Sequence, residues 1–371
     1  MRPTPPLIVG AGPAGCAAAI VLAEAGHRPV LIDRFAEVPD ALCGGFLSWR
    51  TRQQLSCLGI DLRALGAVSV HRLALFAAPC EATAALPEPG LAISRQALDT
   101  AMRARAIAAG CQIEIDSIRE LDGLTAIGRR RIWTGNGLFF ATGKHDLRGA
   151  GRPRSASDAT LGLRLRLPRS ASRLGSLAGT IELHLFERGY AGLVLQEDGT
   201  TNVCLAVRKS MLAGSGGNPR HLVASLARNN PAFQARLGDE WDQAAIEAIA
   251  AVPYGWLARR ASPGLFRLGD QAAVIPSLAG EGISIAVASG ILAAQTWLKH
   301  GPDGSKLFQQ RLGAAAAPAI RAATLARKIA EHPVTARLGL KVAGQAPAAL
   351  RWLAEASRVS APSLAPRAVA S

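Results

Sequence analysis

Six residues near the start of the chain constrain its fold more than any others: Gly10-Ala11-Gly12-Pro13-Ala14-Gly15. The apolar triplet Leu7-Ile8-Val9 precedes them, and an alanine-rich apolar segment from Pro13 to Ala25 follows until Gly26 stops it. Pro29 to Ile32 is a second apolar strand, ending in Asp33. Strand, glycine turn, helix and strand make a βαβ unit. The first glycine permits the tight turn, the second lets a pyrophosphate approach the backbone, and the third lets the helix pack on the strand. The helix N-terminus adds free N–H groups and a partial positive charge. Asp33 stands where a carboxylate accepts from a ribose 2′-hydroxyl, which disfavours a 2′-phosphate. This unit predicts a site for FAD or NAD, with Pro13, Ala14 and Arg34 counted among its residues.

The rest of the chain selects between the two. No second GxGxxG occurs. Leu265 to Leu268 reads as a strand entering Gly269-Asp270, followed by Pro276, Gly280, Glu281, Gly282 and a long apolar helix from Ile283 to Lys299. Asp270 can accept from a polyol hydroxyl. The positive end of the helix at Gly282 and Ile283 favours the negative charge that a reduced flavin carries near N1 and its C2 carbonyl. Ala141-Thr142-Gly143 closes another strand, and its small side chains leave backbone open to a cofactor. These features point to FAD. Gly137 to Lys144 is no P-loop, because five residues rather than four separate its glycines and His145 follows the lysine.

Between these landmarks, a loop with Cys43-Gly44-Gly45 leads to a helix around 50–58. Val70 to Phe76 alternates like a strand, and Ala92-Ile93 is a stub of another. Ser94 is placed to cap a helix from Arg95 to Ala109, ended by Gly110. Gln112–Ile115 and Gly137–Ala141 read as strands. Beyond 160 the alternating segments Leu161–Leu167, Ile181–Phe186, Gly192–Gln196 and Asn202–Val207 predict an antiparallel sheet. Helices are expected over 219–229 and 239–250, and from Lys306 onward with breaks at Pro333 and Pro347 and fraying over the last ten residues. The fold class is α/β: a Rossmann-type FAD-binding domain (1–72, 92–155 and 262–330) with an inserted antiparallel-sheet substrate domain (73–91 and 156–261) and a helical C-terminus (331–371).

Composition removes several classes of function. With 371 residues, 49% hydrophobic and 19% charged, the chain can bury a large core and is not a disordered segment. Aromatics at 5% argue against a stacking platform for single-stranded nucleic acid, and no nucleic-acid partner is expected. The net charge of +15 is scattered and mostly arginine, its densest run being Arg129-Arg130-Arg131. It reads as a solvated surface, with steering of an anionic ligand or adhesion to an acidic membrane face as the alternatives. Six cysteines form no CxxC pair and imply a reduced, cytoplasmic protein. No signal peptide is read before Leu7, and the longest apolar run, Gly282 to Leu298, is too short for a span. Seven histidines without HxxH or HExxH spacing predict no metal site, and no GxSxG elbow occurs.

The order of GxGxxG with its acid, Ser94-Arg95 opening a helix, Ala141-Thr142-Gly143, and Gly269-Asp270 with Pro276 and Gly280-Glu281-Gly282-Ile283 resembles the FAD-dependent oxidoreductases of the para-hydroxybenzoate hydroxylase and geranylgeranyl reductase superfamily. The likeness runs to about residue 330. It implies that Gly10, Gly12, Gly15 and Asp33 hold the ADP half, and that Arg95 contacts the pyrophosphate or ribityl region. It further implies that Ile118 meets the adenine through its backbone, that Asp270 binds the ribityl or pyrophosphate, and that Gly280, Gly282 and Ile283 meet the isoalloxazine edge. Two departures stand out. The Asp-Gly motif that the aromatic hydroxylases tie to NAD(P)H use is replaced by Gly143-Lys144-His145-Asp146, and the Cys43-Gly44-Gly45 loop is closer to the geranylgeranyl-reductase-like proteins. The Trp-x-Trp-x-Ile-Pro motif of the flavin halogenases is missing where Gly189-Tyr190-Ala191-Gly192-Leu193 stands.

The expectation is an FAD-dependent oxidoreductase, monooxygenase-like, acting on an apolar aromatic or lipid-like small molecule with NAD(P)H as transient reductant. The alternatives are reduction of isoprenoid C=C bonds and a non-catalytic basic flavoprotein bound to RNA or to a membrane as a peripheral protein. Catalytic candidates are Cys43, either a flavin-facing thiol or a small residue in a tight loop; Lys144 and His145, either charge partners of the flavin or an exposed turn; and Tyr190, either a substrate ligand or a core residue.

Overall fold

A computed structural model describes residues 4–153, 158–346, 348 and 354–359. Pro347 and the last ten residues, with the break and the fraying expected there, lie outside them.

The apolar strands assemble into a five-stranded parallel sheet. In spatial order these are Leu265–Arg267, Leu138–Phe140, Leu7–Val9, Val30–Asp33 and Gln112–Ile115. Leu7–Val9 sits in the middle, paired in parallel on both sides and buried throughout, which is why it reads as an unbroken apolar run rather than an alternating one. The helix Pro13–Glu24 crosses from it to the next strand. Its alanines are buried on every side because a second apolar helix, Gly282–His300, lies against it. A Cβ on Gly290 would fall 2.2 Å from the Ala14 carbonyl oxygen, so the two backbones touch at that point.

The second sheet has eight strands in the order Glu247–Val252, Thr160–Leu167, Thr201–Arg208, Gly189–Leu195, Thr180–Phe186, Val68–Ala77, Cys80–Ala92 and Phe46–Leu47. All its pairings are antiparallel except one: Thr180–Phe186 runs parallel to Val68–Ala77. That join unites two distant stretches of chain in one sheet. Helices Pro219–Arg228 and Pro231–Leu237 cover one face through Leu222, Val223 and Phe233 on Leu163, Leu193 and Val203. The other face looks toward the first sheet. Helices Ser305–Ala330 and Pro333–Gln345 form a hairpin that closes the side.

Three expectations are corrected. Residues 239–250 are not a helix but a short turn, Glu240–Gln243, followed by the strand Glu247–Val252. Its alanine-rich sequence has helical propensity, but the open edge of Thr160–Leu167 supplies backbone partners and Arg164 supplies a cation for Glu247. The stub at Ala92-Ile93 is the end of a strand that begins at Cys80, although Pro87, Pro89 and Gly90 argue against one. Gly90 is required there, since a Cβ would lie 2.6 Å from the Phe46 ring. A small third sheet, Glu120–Asp122, Thr125–Ile127 and Ile132–Thr134, was not anticipated. Asp116 pins it by accepting from Trp133 Nε1 at 2.9 Å and from the Arg129 and Arg130 amides.

Candidate active site

Between the sheets lies a cavity of about 880 Å³. Every residue predicted to hold the cofactor lines it except Gly15. The three glycines of the turn divide their tasks. Gly10 has φ +106°, and a Cβ there would stand 2.4 Å from the Ala141 carbonyl oxygen. Gly15 is behind the turn, where a Cβ would stand 1.9 Å from the Gly10 carbonyl oxygen, so its role is packing rather than ligand contact. At Gly12 the nearest atom to a Cβ is the Arg95 guanidinium, 3.7 Å away. Space for a pyrophosphate is therefore kept at Gly12 alone. Asp33 Oδ2 accepts from the Ala11 amide at 2.7 Å and Oδ1 from the Phe35 amide at 2.9 Å, with Arg103 at 3.4 Å. Its carboxylate thus holds the glycine turn in shape as well as facing the cavity. Arg95 is aimed by Asp99 through two bonds of 2.8 and 2.6 Å, and Ile118 closes the same end.

The far half of the cradle is built by Gly269, Asp270, Gly280, Gly282 and Ile283. The helix starting at Gly282 has Glu281 at its N-cap and no side-chain cap, and the helix Pro13–Glu24 likewise has only Gly12 there. A Cβ on Gly44, Gly143 or Gly282 would meet nothing within 4 Å. Two uncapped helix starts and four open glycines around one elongated cavity fit a dinucleotide whose phosphates sit at the first helix and whose ring sits at the second. Glu281 is fully buried and paired with the buried Arg358, which also donates to the Ala279 carbonyl at 3.0 Å and lies over the Trp49 ring.

Arginines missed by the sequence reading hold the loops in place. Arg152, its side chain buried, donates to Asp146 Oδ1 at 2.7 Å, to the Lys144 carbonyl at 2.8 Å and to the Asp270 carbonyl at 2.9 Å. Gln271 adds bonds to the Gly143 and His145 carbonyls, and Thr142 Oγ1 another to that of His145. Arg164 bridges Asp40 and Glu247 and donates to the Asp40 and Ala41 carbonyls. The Leu-Arg-Leu-Arg-Leu alternation of residues 163–167 was the available signal, because it turns both arginines to the face opposite the leucines.

Of the catalytic candidates, Lys144 Nζ donates to the Leu42 carbonyl at 3.0 Å, and the His145 ring, packed on one side, accepts from Arg34 at 2.7 Å. Burial and the Arg34 charge push the His145 pKa down, so the neutral ring is the acceptor. Both are tied to the cofactor half. Cys43 lines the cavity, with its carbonyl held by Asn202 at 2.9 Å. Tyr190 is a buried cavity residue whose hydroxyl bonds Ser277 Oγ. Tyr254, not singled out beforehand, reaches the same Oγ at 2.6 Å. The walls around the two phenols are apolar, with Leu73, Leu75, Ile181, Leu183 and Leu185 among them. Burial pushes both phenols above their ordinary value near 10, Tyr254 to about 12. The chain has only these two tyrosines. Ultraviolet titration of the native protein should therefore show no tyrosinate at pH 10, while the unfolded protein ionises there. Between pH 10 and 12 the unfolded chain releases protons that the native chain keeps, so stability falls as pH rises through that window. Tyrosinate absorbance in the folded protein at pH 10 would contradict the burial of this pair.

Among the described residues no group of three or more His, Cys, Asp or Glu is placed to hold a metal, and no helix is long and apolar enough to cross a membrane. The six cysteines are all free thiols.

Residues 3–126 match the FAD binding domain family. No curated protein matches the chain in sequence. Among solved structures, the flavin-dependent brominase Bmp2 superposes with a TM-score of 0.75 at 15% identity, covering 95% of this chain and 93% of that one. A geranylgeranyl bacteriochlorophyll reductase-like protein of Thermoplasma acidophilum gives 0.72 at 17%, covering 93% and 92%. The peptidyl tryptophan dihydroxylase QhpG gives 0.69 at 22%, covering 91% and 78%. The superpositions, all below 25% identity, show the fold over nearly the whole chain, and residues 3–126 carry the FAD-binding domain.

Proposed function

We propose that the enzyme transfers oxygen from O₂ to an apolar small molecule, aromatic or lipid-like, with NAD(P)H as the reductant. The observation that carries this reading is the split character of the cavity: an FAD-shaped polar cradle continues into an apolar chamber whose polar point is Ser277, shared by Tyr190 and Tyr254. Bound FAD would supply the electron transfer that activates oxygen. In this reading the protein's residues do the rest. The N–H groups of Gly12 and Ala14 at the helix start and the Arg95 guanidinium hold the pyrophosphate, Asp33 holds a ribose hydroxyl, and the helix start at Gly282 faces the ring carbonyls. The two phenols stay protonated and orient a hydroxyl or carbonyl of the substrate, while the leucine walls exclude water.

A second reading, saturation of isoprenoid C=C bonds, is favoured by the Cys43-Gly44-Gly45 loop, which lines the cavity. Halogenation is not adopted: the one lysine lining the cavity, Lys144, is tied to the Leu42 carbonyl in the cofactor half. The test is turnover of the FAD-loaded enzyme under isotopically labelled dioxygen, with NADH or NADPH and with a prenyl alcohol or an alkylphenol as probe. One labelled oxygen in the product supports oxygenation. Two added hydrogens and no label transfer the assignment to C=C reduction.

A further inference from the structure

We infer that the tip of the C-terminal helical hairpin is a docking face for an anionic lipid bilayer, set so that the apolar chamber opens toward the membrane. Among the described residues eight large apolar side chains are exposed, and five of them belong to this hairpin: Leu325, Ile329, Val334, Leu338 and Val342, each between 41% and 66% exposed. The four-residue spacing within each helix puts Leu325 with Ile329, and Val334 with Leu338 and Val342, on one face. The inner face of the second helix is a different set, Ala336, Leu340 and Ala343, buried with Leu183 and Leu185. A Cβ on Gly339 would lie 3.8 Å from Ile329, so the two helices meet closely and their outer residues form one patch. A contiguous exposed apolar patch marks an interaction site rather than ordinary surface.

Charge selects the partner. Arg321, Lys328, Arg337 and Lys341 are exposed on the same hairpin. From Ser305 to Gln345 the single acidic residue is Glu331, and it is bound to Arg208 and Arg327. An apolar strip with cationic side chains beside it and no free carboxylate complements acyl chains under anionic headgroups. The patch is also continuous with the chamber, because Leu325, Ile329 and Val342 line both. That the bilayer delivers the substrate rests on the apolar-substrate reading above; the docking itself does not.

The test is sedimentation of the FAD-loaded protein with vesicles of three parts phosphatidylcholine to one part phosphatidylglycerol, and with phosphatidylcholine alone. The expected result is retention by the anionic vesicles only, lost as ionic strength rises from about 0.1 M to about 1 M. Val334→Glu with Leu338→Glu, neither of which lines the cavity, should weaken retention roughly tenfold or more with flavin absorbance and melting temperature unchanged. Lys328→Glu with Lys341→Glu repeats the test without touching the apolar strip. Failure to bind anionic vesicles, equal binding to both vesicles, or unaltered binding by the lysine pair would overturn the proposal. So would light scattering that finds a dimer dissolved by the Val334 and Leu338 changes, since the face would then belong to a second copy. Vesicle binding is read without turnover, so a protein that docks but oxygenates nothing sinks the substrate reading alone.

Discussion

Gly15→Ala is expected to abolish folding, whereas Gly12→Val should leave a folded protein that no longer retains FAD. The two glycines are three residues apart in one motif, yet they face opposite constraints. A methyl at Gly15 would lie 1.9 Å from the Gly10 carbonyl oxygen and 3.3 Å from the Ile8 side chain. Backbone cannot yield as a flexible side chain does, so the helix must lift off the central strand. Ordinary overpacking costs about 1–3 kcal/mol; separating Pro13–Glu24 from its sheet would also open its seam with Gly282–His300. At Gly12 only the Arg95 guanidinium is near, at 3.7 Å. Valine there fills the space of the pyrophosphate and little else. Far-ultraviolet circular dichroism and the flavin absorbance of each purified variant check the contrast. A folded Gly15→Ala protein with bound FAD would refute the division of tasks, as would full FAD retention in Gly12→Val.

The second large effect is expected at Glu281. Its side chain is wholly buried, and Arg358, also buried, is its partner. Glu281→Ala leaves a desolvated guanidinium without its carboxylate, a loss of about 3–5 kcal/mol. Removing both charges, as Glu281→Ala with Arg358→Met, should recover much of it, because the unpaired cation rather than the missing bond causes most of the damage. Urea unfolding of both single variants and the double variant gives the coupling directly. A single-variant loss under about 1 kcal/mol, or no recovery in the double variant, would count against the buried pair.

What the sequence disclosed follows the range of the interactions involved. The glycine turn, its flanking strands and Asp33 lie within about two dozen residues and obey local rules, so their places in the cavity were legible. The helix ends at Ser94 and Gly282 were legible for the same reason. The strand Glu247–Val252 was not, since its own residues favour a helix and only the edge of Thr160–Leu167 makes it extended. Tyr254 and Ser277 escaped notice because nothing near them in sequence announces that they share a bond, and Arg358 because its carboxylate is 77 residues away. The family resemblance counted Gly15 with the cofactor contacts, whereas the motif's own geometry gave it the packing of helix on strand, and the structure agrees with the latter.

The order of strands in the first sheet also decides when the protein can be finished. Leu7–Val9 lies between residues 30–33 and 138–140, and the sheet closes only with 265–267. The glycine-turn helix then waits for Gly290, and the helix that starts at Gly282 waits for the Glu281–Arg358 pair. A nascent chain emerging from the ribosome has therefore made the glycine turn long before it has made the elements that pack against it. Loading of FAD is therefore expected only on the completed polypeptide, the apolar βαβ unit lacking its partners until then.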